Sequence, residues 1–189
     1  RTKAKADALG FEVMFTPKEL VDNCDTVFMC LFDSNGVRDV LTQKDGLLSA
    51  DLSGKTIIDL TTNHFKDVIS FHQMVEEKGG DYLESPVFGS VVPASKGEVT
   101  VVVSGKEAVF QAHKAQLEKF GNNIFFLGTA GLATKMKLIN NLCLGSFMAT
   151  IAESTALGEA CGIEKKDILD ILGVGGGKSL VLAAKTQKL

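Results

Sequence analysis

Tryptophan does not occur among the 189 residues, tyrosine occurs once and proline three times. The 12 phenylalanines therefore carry nearly all of the aromatic packing, and long stretches lack the one residue that breaks helices outright. Positive charge is not in excess either: 20 Lys and Arg against 23 Asp and Glu leave a net charge of -3, which gives no electrostatic case for nucleic acid. No apolar run reaches the length of a membrane span, and no secretory signal opens the chain. The four cysteines, Cys24, Cys30, Cys143 and Cys161, show no C-x-x-C spacing and sit within apolar runs, a pattern that reads as reduced core thiols in a cytoplasmic protein. His64, His72 and His113 are scattered over helix candidates among polar residues, with no Cys, Asp or Glu at ligand spacing, so no metal site is expected. Hydrolase chemistry built on a G-x-S-x-G elbow is likewise absent. What the chain has in quantity is apolar: 45% of its residues are hydrophobic, enough to bury a core.

The first two-thirds of the chain alternate strand and helix patterns. Residues 1–10 read as a helix closing at Gly10 and passing into a short strand, FEVM. Residues 17–23 form a helix candidate, and 26–32 (TVFMCLF) a continuous apolar run suited to a strand buried on both faces. Residues 37–41 and 44–48 look like short helical or turn material. A second buried strand spans 55–60 (KTIIDL), a helix 65–78 ends at Gly79 and Gly80, and a third strand spans 81–87 (DYLESPV). The β-branched stretch 97–105 predicts a strand added antiparallel to its neighbour, followed by a helix over 108–120 and a last strand over 123–127. Such a rhythm indicates a mostly parallel sheet with crossover helices. Ligands bind at the carboxyl ends of its strands, just past Phe32, Leu60 and Val87.

From Leu132 to Cys161 the chain has no proline, few glycines and abundant Leu, Met, Ala and Ile, which predicts one long helix. At 1.5 Å per residue it would span roughly 45 Å, more than one packing face of a small domain requires. Lys137 and Asn141 lie four residues apart on one face with Asn140 beside them, whereas Lys135 points nearly opposite, towards Leu138 and Ile139. An ammonium beside a carboxamide can protonate a carbonyl oxygen while the amide holds substrate or lysine in place. The same spacing is also met by a surface lysine with two solvated asparagines. Beyond this helix, 164–172 and 179–189 read as the first helices of an all-α region.

The run GTAGLATKMKLINN followed by GSFMATIAE resembles the catalytic helix of the β-hydroxyacid dehydrogenase family, most of all its glyoxylate/succinic semialdehyde reductase branch. Three further segments occur in family order. Leu31-Phe32 falls where the family has leucine-proline, Asp59-Leu60-Thr61-Thr62 is similar to Asp-x-Ser-Thr, and Pro86-Val87-Phe88-Gly89-Ser90 is similar to Pro-Val-Ser-Gly-Gly. The resemblance implies a partial Rossmann-like α/β domain over residues 1–128 whose first β-α-β unit is missing. Residues 129–189 would then hold the long interdomain helix and the beginning of a helical dimerisation domain. Lys137 takes the place of the catalytic lysine and Asn141 that of its partner asparagine. Nuclear homologues that have lost the lysine act as chromatin-associated proteins; this chain keeps it.

The same resemblance assigns cofactor contacts to Arg1, Thr2, Leu31, Phe32 and Thr62. Arg1 and Thr2 fall at the end of an Asn-Arg-Thr-like segment whose arginine meets a 2′-phosphate, which favours NADP over NAD. Thr62 matches the threonine beside the nicotinamide, although Thr62 or Asn63 could equally cap the following helix. Substrate contacts fall on Phe88, Gly89 and Ser90. Phe88 stands in the serine position, so a bulky ring replaces the usual hydroxyl, and Ser90 occupies the second glycine position.

Nowhere does a strand–GxGxxG–helix fingerprint appear; GVGGG at 173–177 follows a helix-like run and reads as a helix stop. The chain opens on Arg1 and stops at Leu189 inside a helical pattern, so a piece of a longer protein is expected, with apolar surface exposed at the sheet edge. The implied activity is hydride transfer between a nicotinamide cofactor and a small β-hydroxyacid, semialdehyde or 2-oxo acid, in a homo-oligomer formed through the helical region. A non-catalytic scaffold or dimerisation fragment of the same fold is the alternative. Small residues Gly145, Ala149, Ala152 and Ala156 along one side of the long helix suit close helix packing in either case.

Overall fold

The computed structural model describes residues 6–185, so the expected contacts of Arg1 and Thr2 lie outside the described residues. Two compact units are present, Arg1–Lys137 and Leu138–Leu189. In the first, Thr16 accepts a hydrogen bond from Glu19 N–H and Pro17 opens α1 (Pro17–Asp22). There follow β1 (Thr26–Met29), α2 (Ser34–Thr42), a 3₁₀ turn (Leu47–Ser49), β2 (Thr56–Asp59), α3 (Phe65–Glu76) and β3 (Asp81–Glu84). Then come β4 (Val87–Phe88), α4 (Val91–Ser95), β5 (Thr100–Val103), α5 (Glu107–Leu117), β6 (Asn123–Phe126) and the start of α6 (Leu132–Ala160).

Strands β1, β2 and β3 pair in that order, all parallel, with Val27 opposite Ile57 and Ile57 opposite Tyr82. Because side chains alternate along a strand, Ile57 and Tyr82 enter a core with Val21, Leu41 and Phe71, while Ile58 and Leu83 enter a second core with Val101, Phe110 and Leu117. β2 is buried at all four positions, as its continuous apolar run requires. β1 is different. It stands at the sheet edge and alternates, with Val27 and Met29 buried and Phe28 37% exposed, so the strand expected to be buried on both faces is covered on one. The run 11–14 forms no strand, since no ladder partner lies beside it among the described residues. Phe11 and Phe15 stand 77% and 78% exposed in front of that edge.

The expected strand 81–87 is broken between Glu84 and Val87. Pro86 has no N–H to give a ladder, and the chain turns there to enter a second sheet, in which β4 runs antiparallel and β6 parallel to β5. An antiparallel bridge between Glu84 and Ser104 links the end of β3 to the end of β5. α5 and β6 otherwise follow the sequence pattern.

The second unit holds the rest of α6, then α7 (Lys165–Val174) and α8 (Leu180–Lys185) around a small core of Ile151, Leu169, Val181 and Leu182. Gly158 permits the close approach of α7, because a Cβ there would stand 2.4 Å from Ile168 Cδ1. Gly162, at φ +85°, turns the chain out of α6, as glycines past helix ends do. The cysteines are free but are not core residues: Cys30, Cys143 and Cys161 are exposed and Cys24 half-buried. Cys30 follows the edge strand, Cys143 lies on α6 and Cys161 stands just past its end. Among the described residues no helix is long and apolar enough to cross a membrane, and no group of three His, Cys, Asp or Glu could hold a metal ion.

Candidate active site

The carboxyl ends of β1, β2 and β3 converge with the root of α6. Asp59, the last residue of β2, is fully buried and accepts hydrogen bonds from Thr61 N–H (2.9 Å), Asn63 Nδ2 (2.7 Å) and Tyr82 Oη (2.5 Å). Ser34 Oγ donates to Asn63 Oδ1 and accepts from His64 N–H, and Leu31 N–H donates to Thr61 Oγ1. This buried lattice ties the β1 loop to the β2 loop and sets the path of both. Burial pushes the Asp59 carboxyl up, against the downward pull of its three donors, and holds the Tyr82 phenol well above its ordinary value.

The side chains above this lattice point outward. Phe32 is 89% exposed and Thr62 is exposed. Thr62 does not cap α3, and neither does Asn63; His64 is the N-cap, its Nδ1 accepting from Lys66 N–H. Asn63 is drawn into the Asp59 lattice instead, which removes it from capping.

Past β3 comes the Pro86–Ser90 segment. Gly89 has φ +150°, and a Cβ there would stand 2.9 Å from Val99 Cγ1, so glycine is required on both counts. Ser90 is exposed, starts α4 with its carbonyl and makes no side-chain cap bond. Lys137 reaches this segment. Its Nζ donates to Val87 O at 2.8 Å and lies 4.9 Å from the centre of the Phe88 ring. Lys137 is half-buried, and burial lowers its pKa. Lys135, on the opposite side of the helix as its spacing predicts, is exposed and lies over Phe65 at 5.7 Å. Asn141 follows one turn after Lys137, exposed, within the second unit; Asn140 is half-buried.

Two residues absent from the sequence-based candidates, Glu84 and Ser104, hold the root of α6. Glu84, 1% exposed, accepts from the N–H groups of Gly131 and Thr134 and from the Thr134 hydroxyl, and Ser104 Oγ accepts from Ala133 N–H at 3.0 Å. Burial raises the Glu84 pKa, opposed by the donors from Thr134, Gly131 and Ala133. The signal was available: a carboxylate closing each of two apolar strands, Asp59 and Glu84, is seldom buried without a polar assignment.

Residues 1–128 match the family model described as the NAD binding domain of 6-phosphogluconate dehydrogenase. Human cytokine-like nuclear factor N-PAC is 33% identical over 192 residues, covering 100% of this chain and 35% of its own length. The 2-(hydroxymethyl)glutarate dehydrogenase of Eubacterium barkeri is 33% identical over 181 residues, covering 96% of this chain and 60% of its own. The chain thus spans about a third of one relative and under two-thirds of the other.

Among solved structures, Psf3 in complex with NADP+ and 2-OPP superposes with a TM-score of 0.89 at 26% identity, covering 99% of this chain and 67% of that one. The 3-hydroxyisobutyrate dehydrogenase of Mycobacterium tuberculosis does so with a TM-score of 0.83 at 27% identity, covering 94% and 60%. With the matched domain, the parallel sheet and the long helix in place, the chain belongs to the 3-hydroxyisobutyrate dehydrogenase-like, β-hydroxyacid dehydrogenase family, which shares the NAD-binding domain of 6-phosphogluconate dehydrogenase.

Proposed function

We propose that the protein transfers hydride between NADPH and a small β-hydroxyacid, semialdehyde or 2-oxo acid, with Lys137 as the general acid or base. The observation that carries this reading is the half-buried Lys137 ammonium, held on Val87 O over the segment Pro86–Gly89. In reduction Lys137 gives its proton to the developing alkoxide; in oxidation it must first be neutral, and burial favours that form. Asn141 orients the lysine or the substrate. Gly89 lets the backbone approach a carboxylate, with Ser90 supplying a hydroxyl from the neighbouring position.

The residues present fit the nicotinamide end of a dinucleotide. Phe32 and Thr62 stand exposed at the ends of adjacent parallel strands, while the polar groups beneath them are already satisfied by one another. When bound, the cofactor supplies or takes the hydride, and Arg1 and Thr2 select NADP by meeting its 2′-phosphate. A small-molecule substrate, a homo-oligomer formed through the helical region and a cytoplasmic location belong to the same proposal.

Isothermal titration of NADPH and NADH into the chain and its Lys137→Ala variant is the test, followed by turnover with glyoxylate and succinic semialdehyde. Both forms are expected to bind NADPH, and the variant to lose about 10²–10⁴-fold in kcat. A variant with undiminished kcat refutes the role of Lys137. A second reading, a non-catalytic scaffold of this fold, is favoured by the Phe88 ring over the ammonium; it predicts that neither nucleotide binds and that oligomer formation survives Lys137→Ala.

A further inference from the structure

An α-helix begins with backbone N–H groups that have no partner within the helix, and each must find one outside. At the root of α6 every one does. Leu132 N–H donates to Thr129 O, Ala133 N–H to Ser104 Oγ, Thr134 N–H to Glu84, and Lys135 N–H enters the helix through Gly131 O. The acceptor that does most is Glu84, whose buried carboxylate also takes Gly131 N–H and the Thr134 hydroxyl. A carboxylate at a helix N-terminus is electrostatically favoured, and out of water the attraction is stronger.

The position of that carboxylate in the chain gives the arrangement its consequence. Glu84 ends β3, and three residues further on Val87 supplies the carbonyl that holds Lys137 Nζ. On α6, Thr134 and Lys137 lie three residues apart on one face. One short segment, Glu84 to Val87, therefore grips the helix at two points a turn apart. The first point fixes the rotation of α6 about its axis and its advance along that axis. The second receives the lysine that this rotation delivers. A carboxylate with three donors in a fixed pattern leaves little freedom: rotating α6 by one residue, about 100°, would carry the Thr134 hydroxyl and Lys137 off this face together.

We infer that Glu84 and Thr134 are positioning residues for Lys137: their buried hydrogen bonds set the rotation of α6 that places the Lys137 ammonium on Val87 O. The inference rests on the proposed role of Lys137 for its functional meaning, while its test does not.

The experiment is a pH titration of lysine side chains by NMR in the 189-residue chain carrying lysine labelled with ¹³C at Cε, with Lys137→Ala identifying the signal and urea unfolding run on every variant. In the wild type the Lys137 signal is expected to titrate below the ordinary lysine range. Thr134→Val, which keeps the shape of the side chain but not its hydroxyl, should move that midpoint up towards the ordinary range in a protein that still folds, and Thr134→Ser should restore it. Glu84→Gln should shift it in the same direction. An unchanged Lys137 midpoint in folded Thr134→Val overturns the inference, whatever its effect on stability, because a purely structural cap would alter the urea midpoint alone. If Glu84→Gln does not fold, the Thr134 pair decides. Turnover is measured separately: a wild type that turns nothing over would defeat the enzymatic reading and leave the titration result standing.

Discussion

Acid should destabilise this protein through His72. His72 lies on α3, 6% exposed, with its ring 4.8 Å from that of Tyr82 in an edge-on arrangement and its Nε2 buried without a hydrogen-bond partner. Burial, reinforced by the Lys106 ammonium and opposed by Glu76, lowers its pKa from 6.5 to about 4. In the unfolded chain the imidazole takes a proton near pH 6.5; in the fold it does not, so the unfolded state gains protons first and stability falls as pH drops through this window. A difference of about 2.5 pH units at 1.36 kcal/mol each sets the full loss at roughly 3 kcal/mol, of which about 2 kcal/mol is gone by about pH 5. Urea unfolding at pH 7, 6 and 5 measures it, with His72→Phe as the control that keeps a ring against Tyr82 and cannot titrate. The wild type should lose about 2 kcal/mol more than the variant between pH 7 and 5. Parallel losses in the two proteins would refute the reasoning, since the other titrating groups are common to both.

Three further outcomes follow from the packing. Gly121→Ala should unfold the first unit or cost more than about 4 kcal/mol by urea denaturation, because a Cβ there would stand 1.7 Å from Val99 O, a backbone atom that cannot move aside. Tyr82→Phe takes one of the three donors from the buried Asp59 and should cost about 1–3 kcal/mol in thermal or urea unfolding; a neutral result would mean that Asp59 is satisfied without it. A thiol reagent added to the native protein should label Cys30, Cys143 and Cys161 quickly and Cys24 slowly, and mass mapping that found Cys24 fastest would contradict the burial described.

The features legible in the sequence are those written in local periodicity. α6 was bounded to within a residue because nothing between Leu132 and Ala160 interrupts a helix, and Lys137 was separated from Lys135 by the 3.6-residue turn alone. β2 was recognisable because a strand buried on both faces has to be apolar throughout. What escaped depends on partners distant in sequence. TVFMCLF has the composition of a central strand, and only the pairing order shows that it lies at an edge. His72 sits among polar neighbours in the sequence, yet Tyr82 and Gly105 enclose it in space, since helical neighbours one residue apart face different ways. Asn63 has the composition of a cap, but the buried Asp59 is a stronger claim on its amide, which left the capping to His64. Glu84 was missed for the same reason. Its partners Gly131 and Thr134 come 47 and 50 residues later, and no local pattern announces them.

The bridge between Glu84 and Ser104 bears on the order in which the chain folds. These two residues exchange backbone hydrogen bonds in both directions, and their side chains are the ones that receive the first turn of α6. The landing for the helix therefore does not exist until β3 and β5 have met. Pairing strands that are distant in sequence is slow compared with helix formation, so the helix can coil early in isolation while its anchorage waits for the sheet. Register is checked at the same moment. A one-residue slip between the strands would turn one of the two acceptors to the opposite face, leaving buried N–H groups without partners and the mispaired form at a disadvantage. Refolding followed at two probes should thus show helix signal rising ahead of protection at Ala133 and Thr134, whose amides become shielded last.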